Sequence, residues 1–459
     1  MNTQDPKKRI KNFDEVALGL SKEEAKKEAL RCLQCKKALC IGGCPVEIDI
    51  PAFIKLIAEG KFDLAASKIR EKNALPAVCG RVCAQEDQCE KACILSNKKS
   101  AIKIGDLERF AADWQMKNKS KIKNQKSKSR SPSGPDKKIK IAIIGSGPAC
   151  ITCAGELAKM GYDVTVFESL HKPGGVLVYG IPEFRLPKNI VARDIDYVKG
   201  LGVKVEVNFL AGKTKTIDEL KKDGFKAFFI VIGAGLPYFL GVEGEAFNGI
   251  YSANEFLTRT NLMKSYLFPE YDTPVRVGDI AAVIGAGNVA MDSARCAKRL
   301  GAKKVYIIYR RTEKEMPARI DEIHRAAEEE IEFKLLTHPI KFFGDDKGWV
   351  TGMELLKNEL GEPDSRGRRR PVPVKGSNYK MDVDTVVCAI GQGPNPLLPS
   401  TLRQLKLDEN GLVSIDKNGM TSVEGVFAGG DITTGAATVI AAMGAGKKCA
   451  QSIDAYLRK

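Results

Sequence analysis

Histidine is nearly missing from this chain: three occur in 459 residues, at His171, His324 and His338, and none stands in a motif. Chemistry built on imidazole as general acid and base therefore has little to draw on. No apolar run approaches the ~18 residues that a membrane-spanning helix requires. The opening MNTQDPKKRI lacks the apolar core of a secretion signal. These absences lead us to expect a cytoplasmic protein with no membrane partner, whose thiols stay reduced.

Acidic residues are short relative to basic ones, giving a formal net charge of +16. Such an excess points first to nucleic acid. Its distribution argues otherwise. Between Lys117 and Lys138 stand nine Lys or Arg and one acid, half of the whole excess, in KNKSKIKNQKSKSRSPSGPDKK. Ser, Pro and Gly dilute this stretch, and no aromatic residue interleaves it as a single-strand binder would need. It reads as a solvated linker over 117–137, with no nucleic-acid partner. A nucleic-acid-binding module remains the competing view; it requires a salt-dependent DNA affinity that disappears with the linker.

The linker separates two textures. Residues 1–116 are cysteine-rich and helical in pattern: Ser21 and Glu24 have capping-box spacing, and AFIKLIAEGKFDLAASKIREK carries apolar residues at helical period. After the linker, KIAIIG and DIAAVIG each read as a short buried strand followed by a Gly turn and a helical run. The fold class expected is α/β: an all-helical N-terminal domain followed by two Rossmann-like nucleotide-binding domains.

Cysteine is what the chain has in plenty. Eight of its thirteen cysteines lie between Cys32 and Cys93. They form C-x2-C-x4-C-x3-C-P from Cys32 to Pro45, and C-x3-C-x5-C-x3-C from Cys79 to Cys93. Disulfides conflict with a reducing compartment. Zinc stays an alternative, because CxxC is also a zinc knuckle. Zinc sites, however, use pairs separated by a longer loop, whereas tightly spaced thiols ending in Cys-Pro match ferredoxin runs, where the last Cys serves the other cluster. Two [4Fe–4S] centres in one small domain make sense when electrons pass between them, so a donor is expected elsewhere in the chain.

Two dinucleotide fingerprints supply it. Gly145-x-Gly147-x-x-Cys150 lies between a strand and a helix, and Glu168 ends the next strand. The glycines let backbone N–H groups approach a pyrophosphate, and the acid suits ribose hydroxyls. Cys150 departs from the usual Gly or Ala. In Gly285-x-Gly287-x-x-Ala290 the following strand ends instead in Arg310-Arg311. Guanidinium forks suit a 2′-phosphate, so NADP is expected there and FAD at the first site. Gly429-Gly430-Asp431 follows a third strand and returns a carboxylate to the flavin side. The FAD domain is then split, over 138–250 and 384–459, around an NADP(H) domain over 251–383.

Some features have plainer readings. Cys150 and Cys153 look like a redox dithiol but sit on the phosphate-binding helix, so packing is expected; the disulfide-reductase alternative predicts that Cys153→Ser loses NADPH-driven dithiol formation with clusters intact. Met316 and Phe184 fit core as well as a cofactor wall.

With CLQCKKALCIGGCP, LPAVCGRVCAQEDQCEKAC, AIKIGDLERF, GGVLVYGIPEFRLPK, IGAGNVAMD, YRRTEKEMPAR and AGGDITTGAATVI in view, the chain resembles, over nearly its whole length, the small (beta) subunit of NADPH-dependent glutamate synthase. Its kin include the large subunit of NADH-dependent reduced ferredoxin:NADP oxidoreductase (sulfide dehydrogenase) and the N-terminal half of dihydropyrimidine dehydrogenase. The resemblance implies Cys32, Cys35, Cys40 and Cys93 as ligands of one cluster, and Cys44, Cys83, Cys89 and Glu108 of the other, leaving Cys79 a free thiol. It implies Gly175, Leu177, Arg185, Asp431, Thr438 and Val439 along FAD, beside Gly145, Gly147, Ala149, Glu168 and Gly430. Asn288, Val289, Arg310 and Arg311 are implied along NADP, beside Gly285, Gly287, Ala290 and Gly391. Ala38 and Ala84 stand where the family pattern has proline. The activity implied is electron transfer from NADPH through FAD and both clusters to a partner subunit or ferredoxin, with the reverse direction open to the same parts. Residues 1–2, Met-Asn, offer no cysteine nucleophile for amidotransfer, so glutamate formation would need a separate large subunit. The IDIP…LPAVCGRVC wording stands somewhat nearer to the stand-alone and bifurcating relatives than to the proteobacterial beta subunit.

Overall fold

The computed structural model describes residues 2–97, 100–118, 139–363 and 367–459. Of the expected linker, Lys117 and Asn118 end the helix Ile104–Asn118; the rest lies outside the described residues. The N-terminal module is helical, with Lys22–Ala29, Ile50–Ala58, Phe62–Arg70, Pro76–Val82 and Ile104–Asn118 as its main helices. Ser21 and Glu24 form the reciprocal cap, Glu24 N–H donating to Ser21 Oγ at 3.2 Å and Ser21 N–H to Glu24 Oε2 at 2.7 Å. One departure from an all-helical module is a short antiparallel ribbon, Asn2–Thr3 against Ala17–Gly19. It closes an N-terminal arm.

Two five-stranded parallel sheets follow. The first runs Val426–Ala428, Phe225–Ile230, Lys140–Ile144, Asp163–Phe167, Lys204–Glu206. The second runs Glu332–Lys334, Lys304–Ile308, Ile280–Ile284, Thr385–Cys388, Ile250–Ser252. Helices cover both faces of such sheets, so their strands are continuous apolar runs rather than alternating ones; Ile141–Ile144 and Ala281–Ile284 are buried throughout. A smaller antiparallel sheet, Thr337–Gly344, Val350–Pro363, Arg369–Pro373 and Tyr379–Asp382, is inserted before the second sheet's fourth strand.

In chain order the five strands of the second sheet all fall between Phe225–Ile230 and Val426–Ala428 of the first. Ile250–Ser252 and Thr385–Cys388 pair with each other and belong to the second sheet. The outgoing and returning chains meet at Leu236–Pro237 and Gln392–Gly393, which pair antiparallel. The run TVVCAI fits either sheet by composition; register with Ala281–Ile284 decides it.

The last helix, Val439–Leu457, holds the units together. Gly446 lies against the Ala149 carbonyl, where a Cβ would collide. A Cβ at Gly444 would stand 2.9 Å from Pro45 O, and Lys447 Nζ donates to Val46 O at 2.6 Å. Small residues therefore let one helix touch both the first Gly turn and the segment after Cys44.

Candidate functional site: one cavity between two glycine turns

The two fingerprints take the same backbone shape. Gly145 has φ +102° and a Cβ there would sit 2.6 Å from Val231 O; Gly285 has φ +126° and a Cβ would collide with Ala389 O. Only glycine fits either place without strain. Each turn leads into a helix, Pro148–Lys159 after Gly147 and Asn288–Arg299 after Gly287. The free N–H groups and positive dipole ends of both helices are set for phosphate.

Both turns open onto one cavity of about 1720 Å³. That exceeds the roughly 300–1,000 Å³ of a site for one small ligand, and suits two dinucleotides end to end. Its wall includes Gly145, Gly147, Ala149, Glu168, Gly175, Arg185, Gly430, Asp431, Thr438 and Val439 on the first side. Gly285, Gly287, Asn288, Val289, Arg310, Arg311 and Gly391 line the second. Leu177 and Ala290 do not line it: both are fully buried, behind the wall. Cys150 and Cys153 are buried, and burial pushes both thiols well up. Phe184 is fully buried, with the guanidinium carbons of Arg295 and Arg299 4.6 and 4.0 Å from its ring centre. Met316 packs at the edge of the second sheet's core.

The strand ends differ in sign. Glu168 is held by the Ser146 hydroxyl on one oxygen and by Leu170 N–H at 2.8 Å and Ser169 Oγ at 3.1 Å on the other. Arg311 Nε donates to Arg369 O at 2.8 Å. Burial and then the neighbouring guanidiniums of Arg311 and Arg368 lower the pKa of Arg310.

The thiols divide into two groups. Cys32, Cys35, Cys40 and Cys93 line one small, almost wholly apolar pocket. Burial, then Cys93 and Cys32, push Cys40 up to about 11. Cys44, Cys83, Cys89 and Glu108 act on one another electrostatically. Glu108 is buried, receives Asn73 Nδ2 at 2.6 Å, and burial raises it to about 8. Cys79 faces Met443 Sδ at 3.5 Å and Asn73. Among the described residues no three acidic, His or Cys side chains converge as one metal ion demands. Soft thiolates surrounding a volume fit a multi-iron cluster, whose positive charge replaces the protons that burial favours. Val82 and Ala84, on either side of Cys83, line the large cavity. The second group is therefore one residue from the dinucleotide wall, whereas the pocket of the first shares no lining residue with that cavity.

A buried ion network was not foreseen from the sequence. Arg185 Nη1 pairs with Asp292 at 2.7 Å, on the helix after the second turn, and its Nε lies 3.4 Å from Glu322. Arg295 joins Glu322 to Glu329, the latter at 2.9 Å; Arg299 reaches Glu329 at 2.6 Å. Fully buried Arg9, from the N-terminal arm, closes on Glu329 at 2.7 Å. Burial opposes the charge of Glu329, but Arg295 and Arg299 hold it down to about 2. Burial raises Asp292 to about 6 against the pull of Arg185. The arm also sends Glu15 to Arg81 at 2.7 Å and Arg109 at 2.9 Å in the helical module.

Two dinucleotide folds facing one cavity, with one of two thiol groups next to its wall, define an oxidoreductase with an iron–sulfur head. Residues 9–120 match the family model of dihydropyrimidine dehydrogenase domain II, 4Fe-4S cluster, and residues 139–446 that of pyridine nucleotide-disulphide oxidoreductase. The glutamate synthase [NADPH] small chain of Escherichia coli (strain K12) is 34% identical over 98% of this chain and 96% of its own. The beta subunit of the NADP(+)-dependent formate dehydrogenase of Moorella thermoacetica is 38% identical over 92% of this chain, which spans only 60% of that protein. FprA from Mycobacterium tuberculosis (His57Gln mutant) shares the fold, with TM-score 0.59 and 20% identity over 70% of this chain and 85% of its own. The chain belongs to the pyridine nucleotide-disulphide oxidoreductase family, in the group that joins it to an N-terminal 4Fe-4S domain and includes the glutamate synthase small chain. Among the described residues no helix is long and apolar enough to cross a membrane.

Proposed function

We propose that this chain takes electrons from NADPH into FAD and delivers them, through two [4Fe–4S] centres, to a partner subunit, as a glutamate synthase small chain does. One observation carries the reading: Val82 and Ala84, the two neighbours of Cys83, line the cavity that both glycine turns share. Bound there, nicotinamide and flavin supply two-electron hydride chemistry and the clusters single-electron transfer. The protein's part is positioning. The Gly147 and Gly287 turns present N–H groups to two pyrophosphates, Glu168 orients one ribose, and Arg310 with Arg311 holds the other. Cys32, Cys35, Cys40 and Cys93 hold the outer cluster; Cys44, Cys83, Cys89 and Glu108 hold the inner one. The FAD unit takes in the first sheet and the last helix; the NADP unit is the insertion between the Leu236–Pro237 and Gln392–Gly393 crossings.

A ferredoxin-linked role as the NADP-side subunit of a ferredoxin:NADP oxidoreductase is the second reading. It is favoured by similarity to a beta subunit of an NADPH-Fe(3+) oxidoreductase from Geobacter sulfurreducens, 36% identical over 92% of this chain. This chain spans 64% of that protein. Anaerobic affinity purification from the native cell, with mass spectrometry, separates the two. A large co-eluting chain with an N-terminal cysteine amidotransferase domain supports the first. A small flavo-iron–sulfur chain, or ferredoxin as the sole acceptor, supports the second. Failure of NADPH to bleach the flavin of the anaerobic protein sinks both.

A further inference from the structure

The second glycine turn is joined to the short segment that precedes the helix Ile320–Glu328. Asn288, the first residue of the helix Asn288–Arg299, accepts the Arg319 N–H on Oδ1 at 3.1 Å. Pro317 packs on the turn itself: a Cβ at Gly287 would lie 3.8 Å from its Cγ. Tyr309 Oη, beside the strand end, donates to Glu315 O at 2.7 Å. Asn288, Tyr309 and Pro317 all line the large cavity. A dinucleotide on the Gly287 turn therefore meets the same residues that hold 315–319 in place.

The Arg319 side chain leaves this unit and enters the helical module. Its Nη2 donates to Gln85 Oε1 at 2.8 Å and to Glu86 Oε2 at 3.2 Å, its Nε to Glu86 Oε1 at 3.1 Å, and its Nη1 to Arg81 O at 3.4 Å. A planar fork held at several places keeps one orientation. Gln85 and Glu86 belong to the short turn Gln85–Asp87, which lies between Cys83 and Cys89. Gln85 is buried and fixes the path of that turn. Its Nε2 donates to Cys79 O at 3.3 Å, and its carbonyl accepts from Gln88 N–H at 3.1 Å and Glu90 N–H at 3.0 Å. Gln85, Glu86 and Arg319 also border a separate polar cavity of about 270 Å³, so close packing does not lock the turn on that side. The bonds and charges around the ligands of a cluster set its potential. A turn flanked by two thiols of the inner group is thus held by a residue of the second dinucleotide unit.

We propose that Arg319 is a positioning residue, through which occupancy of the second dinucleotide site sets the path of the Cys83–Cys89 turn and with it the reduction equilibrium of the inner cluster. The coupling is reciprocal, so reduction of that cluster changes dinucleotide affinity by the same factor. The inference rests on the NADPH and cluster reading above.

The test is a reductive titration of the intact, cofactor-loaded protein, with the inner cluster followed by electron paramagnetic resonance. It is run with and without saturating 1,4,5,6-tetrahydro-NADP, an analogue with no hydride to transfer, whose binding is read separately from the flavin absorbance. In wild type the analogue is expected to move the reduction equilibrium of the inner cluster by about 5-fold, which is about 40 mV at 59 mV per tenfold. Arg319→Gln is expected to bind the analogue, because it keeps the backbone N–H that Asn288 accepts, and to lose the shift. Arg319→Lys, which keeps the charge without the fork, should restore part of it. Where Arg319→Gln fails to load its clusters, Glu86→Gln decides: the Glu86 side chain is 31% exposed, so this change disturbs the fold less, and the shift should fall there too. An inner cluster indifferent to bound analogue, a shift kept in full by the variant, or a variant that no longer binds the analogue overturns the proposal. A wild type that binds no analogue overturns the NADPH reading and this inference with it.

Discussion

The Gly145 and Gly285 turns have one backbone and two characters. Each is a parallel strand, a glycine with positive φ pressed on a neighbouring carbonyl, and a helix. The first is followed by an acid fixed by three hydrogen bonds; the second by arginines on a wall rich in guanidinium. The surroundings differ as well. The first turn packs against the last helix through glycine contacts. The helix behind the second is bound through buried ions to Arg185 and to the N-terminal arm. The lesson is that the phosphate-binding shape is generic, and the identity of each dinucleotide is decided by what stands beyond the strand end.

The strongest way to break the symmetry is Gly285→Val. Its Cβ meets the Ala389 carbonyl in a backbone conformation that valine avoids. NADPH binding should fall by at least about 100-fold while flavin stays bound, given strain and collision of several kcal/mol. Gly145→Val should do the converse and release flavin. Fluorescence titration and bound-flavin absorbance read the two; loss of both cofactors in both variants would show that the turns are not separate sites.

Next in size is the anchor of the second unit. Arg9→Leu leaves Glu329 short of one of its three guanidinium partners. Removing one partner of a buried ion pair costs about 3–5 kcal/mol. Denaturant midpoints should drop accordingly, with the visible iron–sulfur and flavin spectra of the native state unchanged. An unchanged midpoint would mean that the arm is incidental.

A pH series sharpens the same contrast. The native pKa of Glu329 is held down to about 2, below its ordinary 4.5. Its stabilisation is therefore complete above pH 4.5 and is lost as pH falls through about 2. Glu329→Gln should be less stable at neutral pH and show a shallower acid loss over that window. Parallel acid curves for variant and wild type would contradict the assignment.

The smallest effect expected is Glu168→Gln. Shape and the Ser146, Ser169 and Leu170 contacts survive in part, so only the charge-assisted ribose bonds weaken, by about 10-fold in flavin affinity.

The readable parts of the sequence were local ones. The strand–turn–helix units, the Ser21–Glu24 cap, Glu168 and Arg310-Arg311 each lie within one short stretch whose geometry the residue types impose. What could not be read there is assembled over distance. Asn358 and Arg368 reach the cavity only because a later sheet bonds to Tyr309 and Arg311. Arg9 sits in the basic run PKKR, and nothing in that run shows that one of its charges is fully buried. Spacing displayed two contiguous runs of thiols, while the folded chain sets Cys93 with Cys32, Cys35 and Cys40 and places Cys44 beside Cys83 and Cys89. That regrouping was implied by the family resemblance rather than by the spacing. A wholly buried strand such as Thr385–Cys388 carries no mark in its sequence of which sheet it joins.

The central claim is that electrons leave the shared cavity through the Cys83 group before reaching the Cys32 group. The most direct test is rapid anaerobic mixing of NADPH with the Cys83→Ser protein, following flavin bleaching optically and the outer cluster by freeze-quench electron paramagnetic resonance. The account predicts flavin reduction at the wild-type rate and an outer cluster that stays oxidised. Reduction of the outer cluster at the wild-type rate would contradict it.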